Sequence, residues 1–263
     1  MEPAVNFIRC QQACDRERIW KAVSPLWKKC FGDSPAYIRQ FCREMPLYGA
    51  VWASDGDQTI GMALLLQPDI SQRVYYGYAV CTHPAWRGQG ICKKIHEKIR
   101  DIYSQVHAGY FVRPAEPKLE YFYQKLGLKT LLWENTIGIA GENTVALKPL
   151  RPDAYVRLRE MYFASAGLCG WNADAVDFMC RFGYQAVGFS LEGVPCGAFL
   201  LEEERLVCEV CAPEHLLMCA ASCAANALGG HAAVRLPGNI HSGKCSVMGF
   251  GIEKAFYFNL YIE

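Results

Sequence analysis

The chain has 263 residues and a formal net charge of +1, from 27 Lys and Arg against 26 Asp and Glu. That length can bury the core of one large domain or two small ones, and 52% hydrophobic with 20% charged residues is an ordinary globular balance. The near-zero charge leaves no footprint for nucleic acid or an anionic membrane, and no apolar run reaches the ~18 residues that span a bilayer. The first residues, MEPAVNFIRC, contain no apolar signal segment, so a cytoplasmic location is expected.

In chain order, VNFIRC (5–10) reads as a short strand, and residues 13–30 as an amphipathic helix carrying Ile19, Trp20, Val23, Leu26 and Trp27. Ser34 followed by Pro35 is the N-cap and first-turn signature of a second helix. YGAVWAS (48–54) and TIGMALLL (59–66) are strands joined at Asp55-Gly56-Asp57, a hairpin signal. The β-branched and aromatic run RVYYGYAVCT (73–82) is a further strand. After HPAWRGQG comes a helix with Ile91, Ile95, Ile99 and Ile102 at helical spacing. AGYFVR (108–113) is a strand, EPKLEYFYQKLG (116–127) a helix closed by Gly127, and TLLWENTIGI (130–139) a strand.

The second part repeats this order. VALKPLR (145–151) is a strand, residues 153–166 and 172–182 are helices, and AVGFSLEGVPCGAFLLE (186–202) resembles AVWASDGDQTIGMALLL (50–66) as a hairpin. RLVCEVCAPEHL (205–216) parallels YAVCTHPAWRGQGI, and HAAVRLP (231–237) matches AGYFVRP. The pattern is an internal duplication, with expected domains at 1–144 and 145–263. The second copy lacks the Arg-Gly-Gln-Gly turn, carries Glu214 near its helix start, and sets Glu202, Glu203 and Glu204 at a solvated hairpin tip.

Fourteen cysteines in a large chain without a signal segment do not read as a disulfide framework. The densest group is Cys208, Cys211, His215, Cys219 and Cys223. Cys208 and Cys211 fall on a strand, and His215, Cys219 and Cys223 on one face of an apolar helix, a spacing that fits core packing rather than a metal.

Two glycines between a strand and a helix let backbone N–H groups face a ligand with no side chain between. The helix N-terminus adds unpaired donors and partial positive charge, so the natural guest is a phosphate. The chain contains no GxxxxGK[ST] loop, and Lys93 stands where a dinucleotide fingerprint needs its third glycine.

Arg87-x-x-Gly90-x-Cys92 resembles the acetyl-CoA pyrophosphate loop of the GNAT superfamily of N-acetyltransferases, with Cys92 in place of a final Gly or Ala. FYQKLGL (122–128) resembles the family's FYxKLGF segment, with Leu128 for its aromatic and Glu116 where an Asn often stands. Loop, tyrosine segment and element order agree over residues 5–140. The resemblance implies an α/β (α+β) fold, a mixed and mostly antiparallel sheet flanked by helices, in tandem with a degenerate second GNAT-like domain that binds no cofactor. It implies transfer of acetyl from acetyl-CoA to a primary amine of a small molecule or peptide, with Tyr123 as general acid and no metal. It places the pyrophosphate on Arg87, Gly88, Gln89, Gly90, Ile91 and Cys92, and the pantetheine arm and thioester oxygen at Val80, Cys81 and Thr82, where the strand should splay open. Lys93 and Lys94 are expected to be solvated. No carboxylate on the Tyr75–Val80 strand identifies an acceptor-side base; His83 is expected at the surface, and Glu134 is left unranked. The competing expectation is an acyl-CoA-binding sensor or interaction module without turnover. The acceptor and the oligomeric state stay open.

Overall fold

The structure is a computed structural model that describes residues 2–68, 73–142, 145–164, 170–237 and 243–252. The stripe of Ile19, Val23, Leu26 and Trp27 forms the buried face of α1 (Ala13–Phe31), which Gly32 ends in the left-handed conformation. Ser34 caps α2 (Pro35–Glu44), its hydroxyl accepting from the Tyr37 N–H at 3.1 Å. β1 (Ala4–Arg9), β2 (Leu47–Asp55), β3 (Gln58–Leu66) and β4 (Val74–Thr82) pair antiparallel in sequence order. A turn of 3-10 helix (Pro84–Trp86) leads to α3 (Ile91–Val106), and β5 (Gly109–Val112) returns parallel to β4. α4 (Lys118–Lys125) follows, with Gly127 left-handed just beyond it.

β3 is apolar nearly throughout because both of its faces are covered. The Thr59 hydroxyl donates to the Ala22 carbonyl of α1 at 2.6 Å, whereas a Cβ added at Gly61 would lie 2.6 Å from Ile91 of α3. Residues two apart should share a face. The ladder passes from Ala53–Gly61 to Ser54–Thr59, so Ile60 is an extra residue, and this bulge separates the two directions.

The copy that follows has the same order: β7 (Lys148–Pro149), α5 (Pro152–Phe163), α6 (Ala173–Arg181), β8 (Tyr184–Leu191), β9 (Val194–Leu201), β10 (Leu206–Cys211), a 3-10 turn (Glu214–Leu216), α7 (Leu217–Ala227) and β11 (His231–Pro237). β7 is shorter than the expected 145–151 strand: only Lys148 and Pro149 pair with β8, and one further bond runs from the Leu150 N–H to the Ala186 carbonyl at 2.8 Å. The expected 153–166 helix ends at Phe163, and residues 165 and 166 lie outside the described residues. The core of this copy gathers Ala220, Ala221, Cys223, Ala224 and Ala225 of α7 against β9 and β10, small side chains that let helix and sheet approach closely.

The division between the units falls before residue 130, not after 144. Among the described residues the first unit runs through Lys129 and takes in Met248 to Ile252, while Thr130–Val247 belongs to the second. β6 (Lys129–Ala140) therefore lies in the second unit, antiparallel to β11 from His231–Ala140 to Pro237–Glu134. In the first unit, β5 is joined by Met248, Gly249 and Phe250 of β12 (Lys244–Phe250).

The cysteine cluster differs in part from expectation. Cys208 and Cys211 are buried on β10 and Cys223 on α7, but Cys219 is exposed, and His215 is exposed in the 3-10 turn. The buried face of α7 centres on Ala220 and Ala224, which leaves Cys219 on its flank. Among the described residues no three His, Cys, Asp or Glu side chains converge as metal ligands, and no helix is long and apolar enough to cross a membrane.

Candidate active site

β4 carries a backbone irregularity just before the glycine turn. Its ladder with β3 passes from Tyr78–Leu64 to Cys81–Met62, so Ala79 and Val80 together oppose Ala63. Ala79 takes a left-handed φ of 50°, which a non-glycine residue adopts only where its surroundings hold it. β5 accompanies β4 only from Val74–Gly109 to Gly77–Val112. A Cβ at Gly77 would collide with the Tyr110 ring and hydroxyl, so the two strands are locked at that point and part beyond it. Val80, Cys81 and Thr82 are half-buried on the departing stretch. The Cys81 thiol hydrogen-bonds with Cys30 of α1 and holds the Cys30 thiol down to about 7.

The turn beyond β4 is built to leave its amides free. Arg87 folds back, its Nε donating to the Thr82 carbonyl at 3.3 Å, and Gln89 Nε2 donates to the Ala85 carbonyl at 3.2 Å. Gly88 and Gly90 have φ of 79° and 76°, and a Cβ at either would meet nothing within 4 Å. These glycines are therefore needed for conformation, not to relieve crowding. No side chain caps α3, and its first bond back into the turn is from the Lys94 N–H to the Gly90 carbonyl at 3.1 Å. The N–H groups of Ile91, Cys92 and Lys93 are thus open donors at the positive end of a sixteen-residue helix, a site for an anion. Ile91 buries its side chain over Gly61. The Cys92 thiol turns inward to 3.6 Å from His96 Nδ1, and burial pushes it up to about 12. The departure at the last motif position therefore places no side chain in the turn. Lys93 pairs with Glu97 at 3.7 Å and Lys94 with Glu2 at 2.6 Å, so both lysines face carboxylates.

Tyr123 is 5% exposed on α4, its ring centroid 5.6 Å from that of His96. Burial pushes its phenol far above the ordinary tyrosine value, so the proton stays on at neutral pH. His96 is held neutral, lowered by burial to about 4. Its Nδ1 lies 3.0 Å from the Cys92 carbonyl, which can only accept, so Nδ1 carries the hydrogen. Nε2 then accepts from the Tyr110 hydroxyl at 3.4 Å. Sequence reasoning missed His96 and Tyr110 as neighbours of Tyr123. The available signal was a histidine set among the isoleucines of an amphipathic helix.

His83 is a correction. It is 8% exposed, not a surface residue: its N–H donates to the Ile60 carbonyl at 2.8 Å, and its Nδ1 accepts from the Ala85 N–H at 3.2 Å. The bulged start of β3 and the end of α1 enclose it. Glu134 lies in the second unit, buried on β6, where it accepts from the Ser246 hydroxyl at 3.1 Å and faces Lys244 at 3.4 Å.

Residues 48–129, from the start of β2 past the end of α4, match the model of the acetyltransferase (GNAT) domain. That stretch is similar to a GNAT domain. The fold of the chain is also similar to that of a probable N-acyltransferase of unknown function from Enterococcus faecalis V583 (TM-score 0.68, 11% identity, covering 95% of this chain and 72% of that one). A putative acetyltransferase from Pyrococcus horikoshii aligns with a TM-score of 0.62 at 11% identity, over 98% of this chain and 92% of that one. A tandem GNAT protein from the clavulanic acid biosynthesis pathway aligns at 0.52 and 11%, over 94% and 97%. At such identities the likeness is one of fold. No curated protein matches the chain. The architecture is a mixed, mostly antiparallel GNAT sheet flanked by helices, in tandem, and a GNAT acetyltransferase domain is consistent with acyl transfer from acyl-CoA.

Proposed function

We propose that the first unit is an N-acetyltransferase that moves acetyl from acetyl-CoA to a primary amine of a small molecule or peptide. The observation that carries this reading is the parting of β4 from β5 after Gly77, directly ahead of a turn whose amides have no side chain over them. The parted strands give a slot for an extended arm, and the α3 N-terminus gives donors for the phosphates beyond it. Acetyl-CoA, when bound, supplies the acetyl group and a thiolate leaving group. The backbone from Val80 to Thr82 offers main-chain groups to the extended arm and the thioester oxygen on the edge that β5 leaves open, next to the Ala79 irregularity. Tyr123 holds its proton through burial and donates it to the departing sulfur as the amine nitrogen–carbonyl carbon bond forms and the carbon–sulfur bond breaks, and the proton that the nitrogen then sheds passes through water to restore the phenol.

The deciding experiment pairs a cofactor readout with a turnover readout. Acetyl-CoA should raise the melting temperature of the wild-type protein by mass action and lose its acetyl group to a member of an amine panel. Gly90→Asp keeps a residue that tolerates the left-handed region but sets a carboxylate against the phosphates. It should abolish the shift and the transfer together, whereas an unchanged shift would move the site elsewhere.

A further inference from the structure

A second cavity, of about 320 Å³, opens on the α1 side of the first unit, between that helix and the β2–β3 hairpin. Lys21 and Lys29 of α1, Ser54, Asp57 and Thr59 of the hairpin, and His83 line it. The buried histidine defines its chemistry. The Ala85 N–H donates to Nδ1 at 3.2 Å, so the neutral ring must carry its hydrogen on Nε2. That Nε2 is buried and has no hydrogen-bond partner among the described residues. A buried N–H without an acceptor is unfavourable and calls for one.

The other lining groups call for the same guest. Ser54 Oγ accepts from Asn6 Nδ2 at 3.2 Å, which leaves the serine hydrogen free to donate, while Thr59 has already given its hydrogen to Ala22. Among the described residues neither Lys21 nor Lys29 is held in an ion pair, and the two ammonium groups outnumber the single carboxylate, Asp57. A histidine N–H, a serine O–H and two lysines are all donors, and they suit an oxyanion with several acceptor oxygens. The second copy has Ala212 where the first has His83, so the feature belongs to the first unit alone.

We propose that this cavity binds a small phosphate group, at a site separate from the turn at the start of α3. The phosphate can come from a free small phosphate compound or from a phosphate of CoA itself, and two arms of one titration distinguish these. Inorganic phosphate added to the full chain in an amine-sulfonate buffer should shift the His83 imidazole nitrogen resonances and raise the melting temperature. Lys21→Gln with Lys29→Gln, both exposed positions, should weaken that response by about tenfold or more through loss of two charge-assisted contacts. An equal response in this double variant, or a His83 signal that ignores phosphate, overturns the site. In the second arm, Gly90→Asp should keep the phosphate response intact while losing the acetyl-CoA shift, which separates this proposal from the cofactor reading. Displacement of phosphate from His83 by CoA in the wild type would assign the bound phosphate to CoA, and its persistence beside saturating CoA would assign it to a free phosphate compound.

Discussion

β4 and β10 hold equivalent places in the two units and carry the same irregularity. Each pairs antiparallel with the strand before it, inserts a bulge, and runs parallel to the next strand for only its first few residues. The contents of the gap differ. In the first unit the stretch from Tyr78 to Thr82 is half-buried, and the residue after Ala79 is Val80. In the second unit β10 is buried along its whole length, and the repeat sets Glu209 opposite Val80. Glu209 accepts from the Tyr155 hydroxyl at 2.8 Å and from Arg159 at 2.7 and 3.2 Å, with both charged side chains wholly buried. One backbone irregularity thus serves as an open slot or as the seat of an internal ion pair, and the side chains decide which.

The contrast is sharpest at the general acid. α4 with Tyr123 follows β5, whereas only GNIHSG lies between β11 and β12, with no tyrosine in it. Tyr123→Phe removes a proton donor and almost no volume, so acetyl-CoA affinity should hold while turnover falls by ~10²–10⁴-fold. Steady-state rates beside a thermal shift make the check. Wild-type turnover in this variant would leave Tyr123 a packing residue beside His96 and Phe122.

The opposite variant belongs to the second unit. Glu209→Ala strands the Arg159 guanidinium without its counter-charge inside a dry core, and should cost about 3–5 kcal/mol of stability. Replacing Glu209 and Arg159 together by Gln and Met should recover much of that, since it removes both charges. Chemical denaturation of the two proteins measures the difference. A single variant as stable as wild type would mean that water reaches this pair.

The α3 helix of the first unit contains a buried titratable ring, and α7 of the second contains no histidine. The sign follows from His96 being lowered to about 4 against an ordinary 6.5. Between those values the unfolded chain binds a proton that the folded chain refuses, so stability is full above about pH 6.5 and declines as pH falls toward 4. The decline amounts to about 3 kcal/mol at most. Urea midpoints from pH 7 to pH 4 should show this slope, and His96→Gln should flatten it. A slope that survives the substitution would assign the acid sensitivity to another group.

What could be read in advance was whatever is local. Strand, turn and helix at 73–106, the two glycines and the tyrosine on α4 each depend on neighbours within a few residues, and they sit where periodicity put them. The Glu209–Arg159 pair joins residues 50 apart, and nothing in the run LVCEVC marks its acid as one facing a guanidinium. His83 looks like a surface residue in THPAW and is buried only because α1 and the β2–β3 hairpin close over it. The β6 and β12 exchange was illegible for another reason. Nothing within either run marks its partner, and β6 pairs with β11 while β12 meets β5 at Met248 to Phe250.

The smallest effect separates the backbone requirement of the turn from its chemistry. No residue from Ala212 to Leu217 of the second unit takes a positive φ, whereas Gly88 and Gly90 both do. A Cβ at Gly88 touches nothing within 4 Å, so Gly88→Ala should cost only the left-handed penalty, about 1–2 kcal/mol, with Gly88→Asn costing less because asparagine adopts that region more readily. Ligand-free urea unfolding gives this number. A loss as large as that of Glu209→Ala would mean that Gly88 is packed, contrary to the open space around it. Acetyl-CoA affinity, measured separately on the same two variants, then reads the turn as a binding surface. Both proteins keep the amides in place but add a side chain beside them, so binding should weaken in both, and more with the larger asparagine. Stability therefore should rank Asn above Ala and affinity Ala above Asn. Only a glycine kept open for a ligand, and not for the fold alone, makes the two orders cross.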